Sequence, residues 1–166
     1  MRRVLAVVFA LAVALPVASC GGRGSRNDAA PITPTSADLL PSTILGLKVK
    51  RENVKARVAG VKRSYVDRAG LYSLRDGKVL EATLQVSTFN DKADVKSSEF
   101  RLAIVNQIGS TQPRAFRMGN QTVYLTASKR QAVAVFFKKR TFAVLSTLDT
   151  YDQGRELLRA LLAVDL

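Results

Sequence analysis

Histidine and tryptophan are absent from the 166 residues of this chain, and Cys20 is its only cysteine. Without histidine there is no Ser-His or Cys-His nucleophilic pair and no metal site that depends on imidazole. A single cysteine excludes a disulfide within the chain. The sequence also has no Gly-x-Ser-x-Gly elbow, no Ser-x-x-Lys pair and no phosphate-binding glycine loop between a strand and a helix. These absences predict a protein that is not an enzyme and carries no cofactor or metal.

The N-terminus has the pattern of an export signal. Arg2 and Arg3 precede an unbroken apolar run of 12 residues, Val4 to Leu15, and Pro16 follows it. A helix needs about 20 apolar residues to cross a bilayer core, so this run is too short to span one. It has the length of the apolar core of a signal peptide.

Val17, Ala18 and Ser19 lead directly into Cys20. This segment resembles the lipobox of bacterial lipoproteins, in which an aliphatic residue and two small residues precede an invariant cysteine. The resemblance implies removal of residues 1–19 by cleavage between Ser19 and Cys20. It also implies that Cys20 receives a diacylglyceryl group and a further acyl chain such as palmitate. Several chains would hold the protein at the extracytoplasmic face of the cell membrane, because one chain alone anchors only marginally. The alternative is an ordinary secretory signal with an accidental cysteine.

The mature chain is predicted to be a tether followed by one domain. Residues 20–37 are rich in Gly, Ser, Pro, Asn and Thr with nearly balanced charge, which is typical of a flexible tether. Residues 38–166 are long enough for a single core that buries about two-thirds of the unfolded surface. Removal of residues 1–19 lowers the formal net charge from +13 to +11, and the domain carries nearly all of it.

The hydrophobic pattern of the domain predicts strands joined by tight turns and two amphipathic helices. Turns are expected at Asp76–Gly77, at Gly119–Asn120 and at residues 138–140. The sequence therefore predicts an α+β fold in which a mainly antiparallel sheet of about six or seven strands packs, on one face, against both helices as a two-layer domain. The predicted strands are Ile44–Arg51, Ala69–Arg75, Lys78–Phe89, Arg114–Met118, Gln121–Thr126, Gln131–Phe137 and Thr141–Ser146, and the predicted helices are Asp94–Ile108 and Asp149–Ala163.

The excess positive charge indicates an acidic partner. Nucleic acid would be the usual partner of so basic a domain, but export to the outer membrane face argues against it. The acidic partners available at that face are anionic lipid headgroups, wall polymers and acidic envelope proteins. The alternative is that the charge only solvates the surface.

The most local signal is the turn Lys138-Lys139-Arg140 between phenylalanine-rich strands. It is either a contact for an anionic surface or a charged turn that deters edge pairing.

In the last predicted helix, Arg155 and Arg159 are expected to point away from the core. Asp149 and Asp152 could be pictured as an acid–base pair, but acids at a helix N-terminus are better explained by the helix dipole.

Two functional hypotheses remain. The first is a lipid-anchored, non-catalytic interaction module of the cell envelope. The second is a carrier of a lipid or other apolar ligand in a cavity between sheet and helices. An enzyme without a recognisable motif is the weakest alternative.

Overall fold

The computed structural model of the chain describes residues 40–54, 58, 61–128, 131–148, 152–164 and 166. These residues form one antiparallel sheet and two α-helices. The strands are β1 (Thr43–Ile44), β2 (Leu47–Arg51), β3 (Val66–Asp76), β4 (Val79–Phe89), β5 (Arg114–Met118), β6 (Gln121–Ser128), β7 (Gln131–Lys138) and β8 (Thr141–Leu148), and the helices are α1 (Ser98–Val105) and α2 (Gly154–Ala163).

The sheet order is β1-β2-β3-β4-β8-β7-β6-β5, and all neighbours are antiparallel. The chain therefore makes two successive meanders whose last strands, β4 and β8, lie side by side. The turn predicted at Gly119–Asn120 is confirmed, and the other two predicted turns lie within one residue of their predicted positions, at Gly77–Lys78 and Lys139–Arg140. They join β3 to β4, β5 to β6 and β7 to β8.

The strand predicted at Ile44–Arg51 is in fact two strands. Leu45 and Gly46 have φ of 50° and 79° and form a two-residue turn between Ile44 and Leu47. Two successive positive φ values give the turn that matches the twist of a hairpin. Leucine is a rare residue in that conformation, so the sequence carried little sign of the turn. The described sheet consequently has eight strands where about six or seven were predicted.

Both helices are shorter than their hydrophobic patterns predict. Helix α1 begins at Ser98 because the hydroxyl of Ser97 accepts a hydrogen bond from the amide of Phe100 at 3.3 Å and caps the first turn. It ends at Val105, and Gly109, at φ 83°, turns the chain back towards the sheet. Helix α2 begins at Gly154. Asp149, where it was predicted to begin, lies outside the described residues.

The two helices cover opposite faces of the sheet, and the prediction that both lie on one face is wrong. Along β7, Val133, Val135 and Phe137 belong to the same buried cluster as Ile104 of α1. The alternate residues, such as Phe136, belong to a second cluster that contains the buried leucines of α2. Successive strand residues point to opposite faces. The continuous apolar run along β7 therefore needs cover on both sides. These sides are called the α1 face and the α2 face below.

Candidate ligand-binding groove

The basic turn between β7 and β8 is bound to the rest of the fold. The ammonium group of Lys138 donates hydrogen bonds to the carbonyl oxygens of Leu162, at 3.1 Å, and of Val164. These carbonyls lie in the last turn of α2 and just beyond it, at the negative end of the helix dipole. Lys138 therefore fastens the end of α2 to the sheet.

Arg140 is held on the other side of the same turn. Its Nε donates to the carbonyl oxygen of Phe89 at 3.0 Å, and its Nη1 lies 2.6 Å from a carboxylate oxygen of Asp91. The Asp91 side chain is 99% exposed, so this ion pair contributes at most about 1 kcal/mol. Lys139, at φ 53°, is more exposed than Lys138 or Arg140. The turn thus has a structural role through Lys138 and Arg140, while its contact with an anionic surface stays a prediction.

A groove of about 540 Å³ follows α2 on the α2 face. Strands β5 to β8 form its floor, and the N-terminal half of α2 forms one wall. Most of its lining is apolar, and the charged groups Asp152 and Arg155 stand at one end. The principal apolar residues are Phe116, Met118, Leu125, Ala134, Leu145 and Leu158.

The groove exists because α2 does not cover the outer strands of the sheet. The buried leucines of α2 pack in one cluster with residues of β1 to β4 and of the central strands, and α2 also contacts β1 at the far side of the sheet. On β6, Val123 is fully buried, whereas Leu125, on the same face, remains 41% exposed. Leu125 pairs with Ala134 of β7, whose small side chain leaves space beside it.

A second hollow of about 660 Å³ adjoins this groove at the start of β5. It is lined by residues 111–114 and 125–127, so Leu125 borders both spaces. Arg114 lies at this junction, directly paired with Leu125 across the β5–β6 ladder. The side chains of Arg114, Asp152 and Arg155 are exposed. Neither arginine forms a salt bridge with another described residue.

The site residues predicted from the sequence fall in three places. Ser19 and Cys20, the predicted cleavage and lipidation positions, lie outside the described residues, as does Asp149. Lys138 is the last residue of β7, and Lys139 and Arg140 form the β7–β8 turn. Asp152 and Arg155 lie at the groove. Arg155 is exposed, in agreement with its predicted orientation away from the core, and it borders the groove as well.

The apolar floor of the groove was not identified from the sequence. Phe116 and Met118 on β5, and Val123 and Leu125 on β6, follow the period of two that places them on one face. That signal identifies a buried face. It does not show how far the covering helix extends over that face. Leu125 is exposed because α2 does not reach it.

Other kinds of site receive no support from the described residues. Nowhere in that part of the chain do three or more Cys, Asp or Glu side chains come together as a metal site. None of its helices is long and apolar enough to cross a membrane. The sequence matches no protein-family model and no curated protein, and the chain matches no solved structure.

Proposed function

We propose that this protein is an exported, lipid-anchored protein of the bacterial cell envelope whose domain binds a ligand, without catalysis, in the groove beside α2. The observation that carries the proposal is the groove itself. Its volume of about 540 Å³ lies within the range of roughly 300–1,000 Å³ that small-ligand sites occupy. Its mainly apolar lining, with a few polar groups at one end, is also typical of such sites.

The exposed part of this lining supports binding over a purely structural role. Leu125 lies in an inner strand of the sheet and is still 41% exposed, next to the partly buried Phe116 and Met118. A contiguous apolar surface of this kind on a soluble domain commonly marks a place where something binds. A ligand in the groove would cover it.

The predicted anchor supports an origin of the ligand at the membrane. If residues 20–37 are the flexible tether that their composition predicts, its 18 residues would have a root-mean-square span of about 23 Å, taking roughly 5.5 Å times the square root of its length. The domain would stay close to the outer face of the cell membrane, within reach of lipids, wall polymers and other envelope proteins.

A carrier is the second candidate, and the apolar lining favours it. A carrier would hold its ligand as stoichiometric cargo, whereas an interaction module would be empty when purified. Mass spectrometry of solvent extracts from protein purified from its source distinguishes the two. One bound lipid per chain would support the carrier, and an empty, monodisperse protein would support the interaction module.

The anchor is tested by Cys20→Ala, with Ser19→Ala as the matched control. We expect Cys20→Ala to abolish labelling by radioactive palmitate and to leave the protein unprocessed or released from membranes. Ser19→Ala keeps a small residue before the cleavage site and should mature normally. Normal maturation and membrane retention of Cys20→Ala would refute the lipid anchor.

The groove is tested with the neutral dye Nile red, which fluoresces on entering an apolar site. The protein would be the chain from residue 20 to residue 166 with Cys20→Ser, which needs no detergent. Leu125→Gln should weaken dye binding. Leu102→Gln should not, because Leu102 is similarly exposed, at 43%, but lies on α1 at the opposite face. Equal loss in both variants, or no binding at all, would refute the groove as a binding site.

A further inference from the structure

The two arginines at the groove lie at the same end of the sheet. Arg114 begins β5, and Arg155 lies in the first turn of α2, just after β8 ends. Strands β5 and β8 run in opposite directions, because three antiparallel pairings separate them. The start of β5 and the end of β8 therefore lie at the same end of the sheet, with β6 and β7 between them. Arg155 borders the groove together with Thr147 near the end of β8.

Arg114 faces the same side of the sheet as the apolar floor. It is the register partner of Leu125, and residues directly opposite each other on neighbouring strands project to the same face. Phe116 and Met118 follow Arg114 at intervals of two along β5 and so share that face. The groove is thus cationic at one end and apolar along the rest of its length.

The charge at this end is positive on balance. Asp152 is the acidic residue among those that line the groove and the adjoining hollow, whereas two arginines line them, Arg155 in the groove and Arg114 in the hollow. An arginine guanidinium binds a carboxylate or phosphate through paired hydrogen bonds. An anionic group is the chemistry that complements this end.

The size of the groove matches the apolar part of a ligand with one acyl chain. At about 30 Å³ for each non-hydrogen group, the share of one molecule in liquid water, roughly 18 groups fill a groove of 540 Å³. One long acyl chain has that many groups, whereas two such chains have about twice as many.

From this arrangement we infer that the groove binds an amphiphile with one acyl chain and an anionic head, with the head between Arg114 and Arg155 and the chain along Leu125 towards Phe116. The inference rests on the proposed function and names the ligand class of the same groove. It assigns Arg114 and Arg155 to recognition of the head and Leu125 to contact with the chain.

The test compares oleate with oleyl alcohol, which has the same chain and no charge. Equilibrium dialysis of each radiolabelled compound, below the concentration at which it aggregates, measures binding directly on the chain from residue 20 with Cys20→Ser. We expect oleate to bind at least fivefold more tightly than oleyl alcohol. Arg114→Gln and Arg155→Gln should each weaken oleate binding about two- to fivefold and leave the alcohol unaffected, as expected for ion pairs made by exposed side chains.

Two matched variants separate head recognition from general surface charge. Arg117→Gln removes an exposed arginine from the opposite face of β5, and Arg159→Gln removes one from the next turn of α2. Both change the net charge as the test variants do, and both should bind oleate like the parent protein.

Three results would overturn the inference. They are equal binding of oleate and oleyl alcohol, absence of oleate binding, and equal weakening by test and control variants. If Nile red still binds in a manner that depends on Leu125, the groove stands as a binding site and only the ligand class is wrong. If the dye also fails to bind, the proposed function fails with the inference.

Discussion

Lys138 should be one of the most important surface lysines for the stability of this domain. Its ammonium group donates to the carbonyl oxygens of Leu162 and Val164 at the end of α2. Lys138→Met keeps most of the apolar stem and removes the charge and both hydrogen bonds. Lys48→Met is the matched control, because Lys48 is exposed on β2 and its loss changes the net charge equally.

The size of the effect follows from these contacts. A hydrogen bond to a charged group contributes about 1.5–3 kcal/mol, and a cation at a helix C-terminus adds about 0.3–1 kcal/mol. The two hydrogen bonds share one ammonium group, and water can reach the freed carbonyls at the helix end. We therefore expect Lys138→Met to lower the free energy of unfolding by about 2 kcal/mol. For a domain of this length that corresponds to a fall in Tm of roughly 6–10 °C.

Urea denaturation followed by circular dichroism measures this loss. The urea midpoint should fall for Lys138→Met with little change in slope, while Lys48→Met should stay within about 0.5 kcal/mol of the parent. If both variants lose the same small amount, Lys138 does not fasten α2, and the structural role assigned to the basic turn is wrong.

Three further predictions concern turns. Gly109→Ala should lower the free energy of unfolding by about 1–3 kcal/mol more than Gly119→Ala, because a Cβ at 109 would collide with the side chain of Thr126 and one at 119 would meet nothing within 4 Å; equal urea midpoints would contradict this. Leu45→Asn should raise the free energy of unfolding by up to about 1 kcal/mol, since asparagine adopts the φ of 50° more readily than leucine; a lower Tm would refute it. Lys139→Gln should weaken binding to anionic vesicles about fivefold at low salt, if the tip contacts headgroups; unchanged binding would exclude that contact.

The sequence predicted the local features of the fold well. Gly77 and Gly119 have the positive φ that a hairpin turn needs; the second turn lies at its predicted residues, and the first lies one residue later, at Gly77–Lys78. The leucines of α2 repeat with helical spacing and are buried together. Each of these signals is contained in a few consecutive residues.

Features that depend on distant parts of the chain were not predicted. The apolar run from Val133 to Phe137 shows that both faces of β7 are buried, but no local pattern assigns α1 to one face and α2 to the other. The exposure of Leu125 has the same origin. It depends on where α2 crosses the sheet, which is decided by packing against β1 to β4 on the far side.

Photo-cross-linking with a fatty acid that carries a diazirine in its chain tests the central claim, that the groove beside α2 is the binding site, most directly. After irradiation with the chain from residue 20, Cys20→Ser, mass spectrometry of peptides locates the attached lipid. We expect labels on Phe116, Met118, Leu125 and neighbouring α2 residues, and competition by unlabelled oleate. Labels spread over the surface, or concentrated on the α1 face around Leu102, would contradict the account.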